Sequence, residues 1–253
     1  MQNPIHKVLS TISGRNVRAL LMGGQACVLY GAAEFSRDTD LALLASDENI
    51  ELLRVALRNL QARRVALPPF EQKFLHRGHA IHFRCYHPEA LGMRVDIMSV
   101  MRGVDPFEHL WERRTTIMTD TGGSIEMVSL PDLVKAKKTQ RDKDWPMIRR
   151  LIEADYASQE NPSLQQVKFW MLESRTPKIL FELSRRRPEH IESLKTMRPL
   201  LSLIQTGDRD GVELALDKEE KAEREADRRY WEPLRKELEE LRRRNYSIEE
   251  EVF

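Results

Sequence analysis

The sequence predicts an α/β fold, in the α+β sense, followed by an all-helical C-terminal extension. Three observations predict it. Short apolar runs with strand character alternate with helical stretches over residues 15 to 150. From about Ser158 the strand signals stop, and Pro177, Pro188 and Pro199 fall at helix starts. The last stretch, residues 217–244, reads as one long, highly charged helix. The expected domains are therefore residues 1–157 and 158–253. A chain of 253 residues is long enough for one large domain or two small ones.

Taken in order, residues 4–13 read as a short amphipathic helix. Val17 to Met22 is apolar and short enough for a buried strand. Gly23 and Gly24 then allow a sharp turn and a close approach by a ligand, and Gln25 to Ala33 favours helix. The N-terminus of that helix offers free N–H groups and a positive dipole end to a phosphate. Leu41 to Leu44 reads as the next strand. Ser46-Asp47-Glu48 is an N-cap with an acidic first turn, and Ile50, Leu53, Leu57 and Leu60 give that helix an apolar face. Strands follow at His79–Tyr86 and Met93–Met98, and Asp105-Pro106-Phe107-Glu108 starts a helix. Thr115–Met118 and Ile125–Val128 are expected to form a hairpin around Gly122-Gly123. Residues 130–153 then read as one helix with Pro131 in its first turn.

Three aspartates carry the candidate chemistry. Asp38 and Asp40 are two positions apart at the start of a strand, so both project to the same face. Side-by-side carboxylates repel and call for a cation. Hard divalent ions such as Mg²⁺ take oxygen ligands and commonly keep substrate phosphates in their shell. Asp96 lies on a largely apolar strand, where an unpaired charge is expensive. Either it joins the pair in a triad, or it is a salt-bridge partner of Arg94, which shares its face. A carboxylate triad below a phosphate-binding turn is what two-metal phosphoryl or nucleotidyl transfer needs.

Gly23-Gly24, then Asp38-Thr39-Asp40, then Asp96 on a later strand resembles the DNA polymerase β-like nucleotidyltransferase superfamily. The pattern is most similar to minimal nucleotidyltransferases, including those of toxin–antitoxin systems. The resemblance covers roughly residues 15 to 150. It implies a small mixed sheet flanked by helices, an NTP as donor and two Mg²⁺ ions as cofactors. Asp38, Asp40 and Asp96 would be the metal and catalytic residues. Gly23, Gly24, Ser36 and Arg37 would cradle the triphosphate, with Lys137, Lys138, Arg141 and Lys143 as further phosphate ligands and Asp144 as a helix cap or a partner for Arg141. The implied reaction is transfer of an NMP to an acceptor hydroxyl with release of pyrophosphate. The acceptor, whether RNA, protein or small molecule, is not spelled out. Two departures stand out: Glu34 occupies the position of an expected Arg, and Thr39 a position that is often apolar. A degenerate relative that binds a nucleotide or a partner is the alternative.

The remaining features are less directive. Formal net charge is +1 with 32% charged residues, so no global field argues for nucleic acid or an anionic membrane. The two cysteines, Cys27 and Cys85, sit in apolar runs and read as buried thiols of a reducing compartment. No apolar run reaches membrane-spanning length and no signal-peptide core is expected, which reads as a soluble cytoplasmic protein. His76, His79 and His82 invite a zinc reading, but His79 and His82 would point to opposite faces of a strand. His82 or Arg84 could line the aspartate site. The last helix carries a stripe of Tyr230, Trp231, Leu234, Leu238 and Leu241, with Pro233 inside it. That stripe would pack on the core, on a protein partner or on a second copy.

Overall fold

The computed structural model describes residues 4–119 and 123–244. Packing divides the chain into two compact units. The first comprises residues 1–29, 33–136 and 230–253, and the second residues 30–32 and 137–229. The sequence boundary at 157/158 follows a change in composition, whereas this division follows packing.

The first unit is built on a seven-stranded mixed sheet, larger than the small sheet expected. Its elements run α1 (Pro4–Ser13), β1 (Ala19–Met22), α2 (Gly23–Leu29), β2 (Asp38–Leu43), α3 (Asp47–Asn59), β3 (Arg63–Arg64), α4 (Gln72–Arg77), β4 (Ile81–Arg84), β5 (Arg94–Met98), α5 (Phe107–Glu112), β6 (Thr115–Met118), β7 (Ser124–Met127) and α6 (Leu130–Ala136). The strand order is β3-β4-β5-β2-β1-β7-β6. β2 runs parallel to β5 and β1 parallel to β7, while the other neighbours are antiparallel.

Local chemistry explains most of these elements. The Ser46 hydroxyl accepts the Asn49 N–H at 3.3 Å and so caps α3. Leu20, Leu21, Leu43, Ile81, Phe83, Val95 and Ile97 are fully buried. Phe70 packs edge-on to Phe83 at 5.2 Å between centroids. β6 and β7 form the expected hairpin; Gly122 lies outside the described residues. Helix α2 differs from expectation, because it begins at Gly23 itself and ends at Leu29 rather than Ala33. Gly23 takes φ +66°, so one left-handed residue makes the whole turn from β1 into α2.

The second unit is helical: α7 (Asp144–Ser158), α8 (Leu164–Glu173), α9 (Pro177–Arg186), α10 (Ile191–Leu194), α11 (Leu200–Thr206) and the Arg209–Arg229 part of α12 (Arg209–Arg243). Ser163 and Gln166 form a reciprocal capping box on α8. Pro177 opens α9, and Pro188 opens a short 3₁₀ turn. The single helix expected over residues 130–153 is interrupted between Ala136 and Asp144. Two features act here: Pro146 lacks an N–H and its ring would meet the carbonyl of residue 142 in a continuous helix, and the Asp144 carboxylate gathers Lys137, Thr139 and Arg141 in the intervening loop.

The Tyr230–Arg243 part of α12 belongs to the first unit. Its Leu234 and Leu241 are buried there. Glu237 pairs with Arg77 and accepts His79 Nε2 at 2.8 Å. Of the three destinations considered for the stripe, the core is the one the structure uses for these two leucines. No helix of the described residues is long and apolar enough to cross a membrane.

Candidate functional site

The site grows from the alignment of two parallel strands. In β2, Asp38 and Asp40 alternate with fully buried Thr39. In β5, Arg94, Asp96 and Met98 alternate with buried Val95 and Ile97. The register pairs Asp38 with Arg94 and Asp40 with Asp96. Paired residues of neighbouring strands share a face, so all three carboxylates and Arg94 project from one side of the sheet. β4 adds His82 opposite Asp96, and β1 adds Met22 opposite Asp40. One row across the sheet therefore reads His82, Asp96, Asp40, Met22.

The glycines close the site from above β1. Asp40 Oδ2 accepts the Gly24 N–H at 3.3 Å. A Cβ on Gly23 would stand 1.9 Å from that same oxygen, and one on Gly24 would stand 2.5 Å from Ser36 Oγ. Both positions thus require glycine for close approach, and at Gly23 the backbone conformation requires it as well. Ser36 Oγ donates to the Asp38 carbonyl at 3.3 Å, and Gln25 Nε2 donates to the Ser36 carbonyl at 3.0 Å. Gln25 is only 7% exposed and was not singled out from the sequence. Its signal was there: it is the one polar side chain within Gly23–Leu29, where a solvated role would not explain it. Arg37 is exposed, with its guanidinium 5.9 Å from the ring of exposed Phe35.

Asp96 is engaged by two cationic or potentially cationic side chains. Arg94 Nε donates to its Oδ1 at 2.8 Å, and His82 Nδ1 lies 2.9 Å from the same oxygen. Arg94 Nη2 is also 3.1 Å from His82 Nδ1. Burial pushes the Asp96 carboxyl up, but the hydrogen bonds from His82 and Arg94 outweigh it and hold it below the usual carboxylate range. Asp96 is therefore ionised at neutral pH. The salt bridge with Arg94, one of the two sequence readings of Asp96, is present, and so is the placement of Asp96 beside Asp40. Of His82 and Arg84, it is His82 that reaches Asp96.

In kind, the donor set suits a hard divalent cation: three carboxylates, two of them neighbours in register. They are not gathered as a finished metal centre, and among the described residues no group of three His, Cys, Asp or Glu side chains is arranged to hold a metal ion. The reason is local. Asp96 is turned to Arg94 and His82. His79 lies ahead of β4, 1% exposed and bonded to Glu237, so it takes no part in a metal cluster with His82.

Three of the four basic residues singled out in the second unit, Lys137, Lys138 and Arg141, have partners of their own. Lys137 Nζ is 3.2 Å and Arg141 Nε 2.7 Å from the carboxylate of Asp144, and the Thr139 hydroxyl donates to it at 2.6 Å. Lys138 pairs with Glu173 at 2.7 Å, and Lys143 is the residue before α7. Asp144 thus takes the role of partner for Arg141. Its carboxyl is pushed up by burial, yet the charges of Lys137 and Arg141 and the Thr139 hydroxyl hold it below its usual range.

No protein-family model and no curated protein matches this chain.

Proposed function

We propose that the protein is a metal-dependent nucleotidyltransferase that moves an NMP from an NTP to an acceptor hydroxyl, releasing pyrophosphate. The observation that carries this reading is the in-register pairing of Asp40 with Asp96, with Gly23 and Gly24 pressed against Asp40 and Ser36. Asp38, Asp40 and Asp96 would hold Mg²⁺, which when bound supplies charge neutralisation at the reacting phosphate. The Gly23-Gly24 backbone, Ser36 and Arg37 would cradle the triphosphate. Asp96 would share the catalytic metal or take the proton of the attacking hydroxyl.

The second reading is a catalytically degenerate relative that binds a nucleotide or partner. Two features favour it: the Arg94–Asp96 pair and Glu34 at the expected Arg position. Calorimetry with non-hydrolysable analogues of each NTP, in Mg²⁺ and in EDTA, separates the two. The transferase reading expects binding that requires both Mg²⁺ and Asp40, lost in Asp40→Ala. It further expects Asp38→Ala and Asp96→Ala to abolish transfer. Binding indifferent to Mg²⁺ and to Asp40, or full activity in both alanine variants, overturns it.

A further inference from the structure

Arg94 is the charged group at the carboxylate face that nucleotidyl transfer leaves without a task. It stands in register with Asp38, two pairs along from Asp40 and Asp96 and on the same face. Its Nε bonds Asp96 Oδ1 at 2.8 Å and its Nη2 lies 3.1 Å from His82 Nδ1. The hydrogen bond to Asp96 raises its pKa, burial lowers it, and the charges of Asp96, Asp38 and Asp40 raise it further. Of the three carboxylates on this face, Asp96 is the one it bonds, and the register sets Asp38 and Asp40 on the same face. Arginine keeps its charge under all ordinary conditions, so this is a permanent internal counter-ion.

We propose that Arg94 is a built-in competitor of the divalent metal: it neutralises the carboxylate face when no metal is bound and must release Asp96 before metal–nucleotide can be held. This rests on the transferase reading of the site. A metal ligated by Asp96 and a guanidinium bonded to Asp96 Oδ1 are two cations on one carboxylate, and they repel at this range. The exchange lowers metal affinity by the free energy needed to detach Arg94. In return, the metal-free protein keeps a positive charge on Asp96 at a sheet face that also carries Asp38 and Asp40. Arg94 is partly exposed, with 41% of its side chain accessible, so it has room to swing into solvent. Asp96, with 14% accessible, does not leave the face.

The test uses Mn²⁺ alone as the probe, titrated into the full-length protein and followed by the electron paramagnetic resonance of free Mn²⁺, at low ionic strength. The variants are Arg94→Gln, Arg94→Lys and Asp40→Asn. Arg94→Gln is expected to bind Mn²⁺ about tenfold more tightly than wild type, equivalent to about 1.4 kcal/mol. Its metal-free thermal midpoint is expected to fall, and Mn²⁺ to raise that midpoint more than it does in wild type. Arg94→Lys keeps the charge and is expected to stay near wild-type affinity. Equal or weaker Mn²⁺ binding by folded Arg94→Gln overturns the proposal. If wild type binds Mn²⁺ through Asp40 while Arg94→Gln is unchanged, the metal site stands and only the competition falls. If neither wild type nor Arg94→Gln binds Mn²⁺, the metal site itself falls and the competition with it.

Discussion

Replacing Gly23 by alanine tests the packing that brings the phosphate turn against Asp40. Two separate penalties are expected. The first is backbone: at φ +66° an L-residue pays about 1 kcal/mol for the left-handed conformation. The second is steric. The new Cβ would sit 1.9 Å from Asp40 Oδ2, so the carboxylate must move and its bond from the Gly24 N–H breaks. A hydrogen bond to a charged group is worth about 1.5 kcal/mol or more. Together they predict a loss of about 3 kcal/mol for Gly23→Ala. Gly92 supplies an internal control, because it has φ +77° with nothing within 4 Å of an added Cβ. Gly92→Ala is expected to lose only the backbone penalty of about 1 kcal/mol. Urea unfolding followed by circular dichroism measures both variants. Equal destabilisation of the two would refute the claim that Asp40 and Gly23 are in enforced contact.

Other predictions follow from buried groups. Thr39 is fully buried beside Val95, and its hydroxyl finds no partner among the described residues; Thr39→Val is expected to raise stability by about 1 kcal/mol in the same urea assay, and a loss would mean that the hydroxyl is bonded. Burial pushes the Cys85 thiol from 9.0 to about 11. The folded state then holds its proton longer than the unfolded chain, so this contribution is complete below pH 9.0 and falls by about 3 kcal/mol as pH rises towards 11. Wild type and Cys85→Ala compared by urea unfolding across that range should converge as the pH rises, and parallel curves would contradict the burial. Asp144 has the opposite sign: its carboxyl is held below its ordinary 3.8, so the stability it gives is present above that value and is lost on acidification. Asp144→Asn is expected to cost about 3 kcal/mol at neutral pH, because Lys137 is left without its buried carboxylate, and thermal unfolding at pH 7 and below pH 3 should show the difference shrink in acid.

Much of the fold was legible because its signals are local. The Ser46 cap, the Ser163–Gln166 box, the helix-opening prolines and the alternation that sets Asp38 beside Asp40 all act within a few residues. What failed locally failed for a stated reason. The helix over residues 130–153 had the right composition throughout, but Pro146 and the Asp144 carboxylate, which gathers Lys137, Thr139 and Arg141, favour a loop there. Gly23 reads as a sharp turn open to a ligand in the sequence, yet it is the first residue of α2 and the side chain that comes close to it is Asp40.

The sequence by itself determined that Asp38 and Asp40 share a face, that Arg94 and Asp96 share one, and that a glycine pair precedes both. A strand's period of two is a property of the chain and needs no partner. Only the tertiary structure decided that these faces are the same face, because strand order and register are set by hydrogen bonding and burial across distant segments. Parallel pairing of β2 with β5 put Asp40 beside Asp96, and antiparallel pairing of β4 with β5 brought in His82. Contacts of this kind, like the one His79 makes with Glu237 from 158 residues away, leave no mark in either segment taken alone.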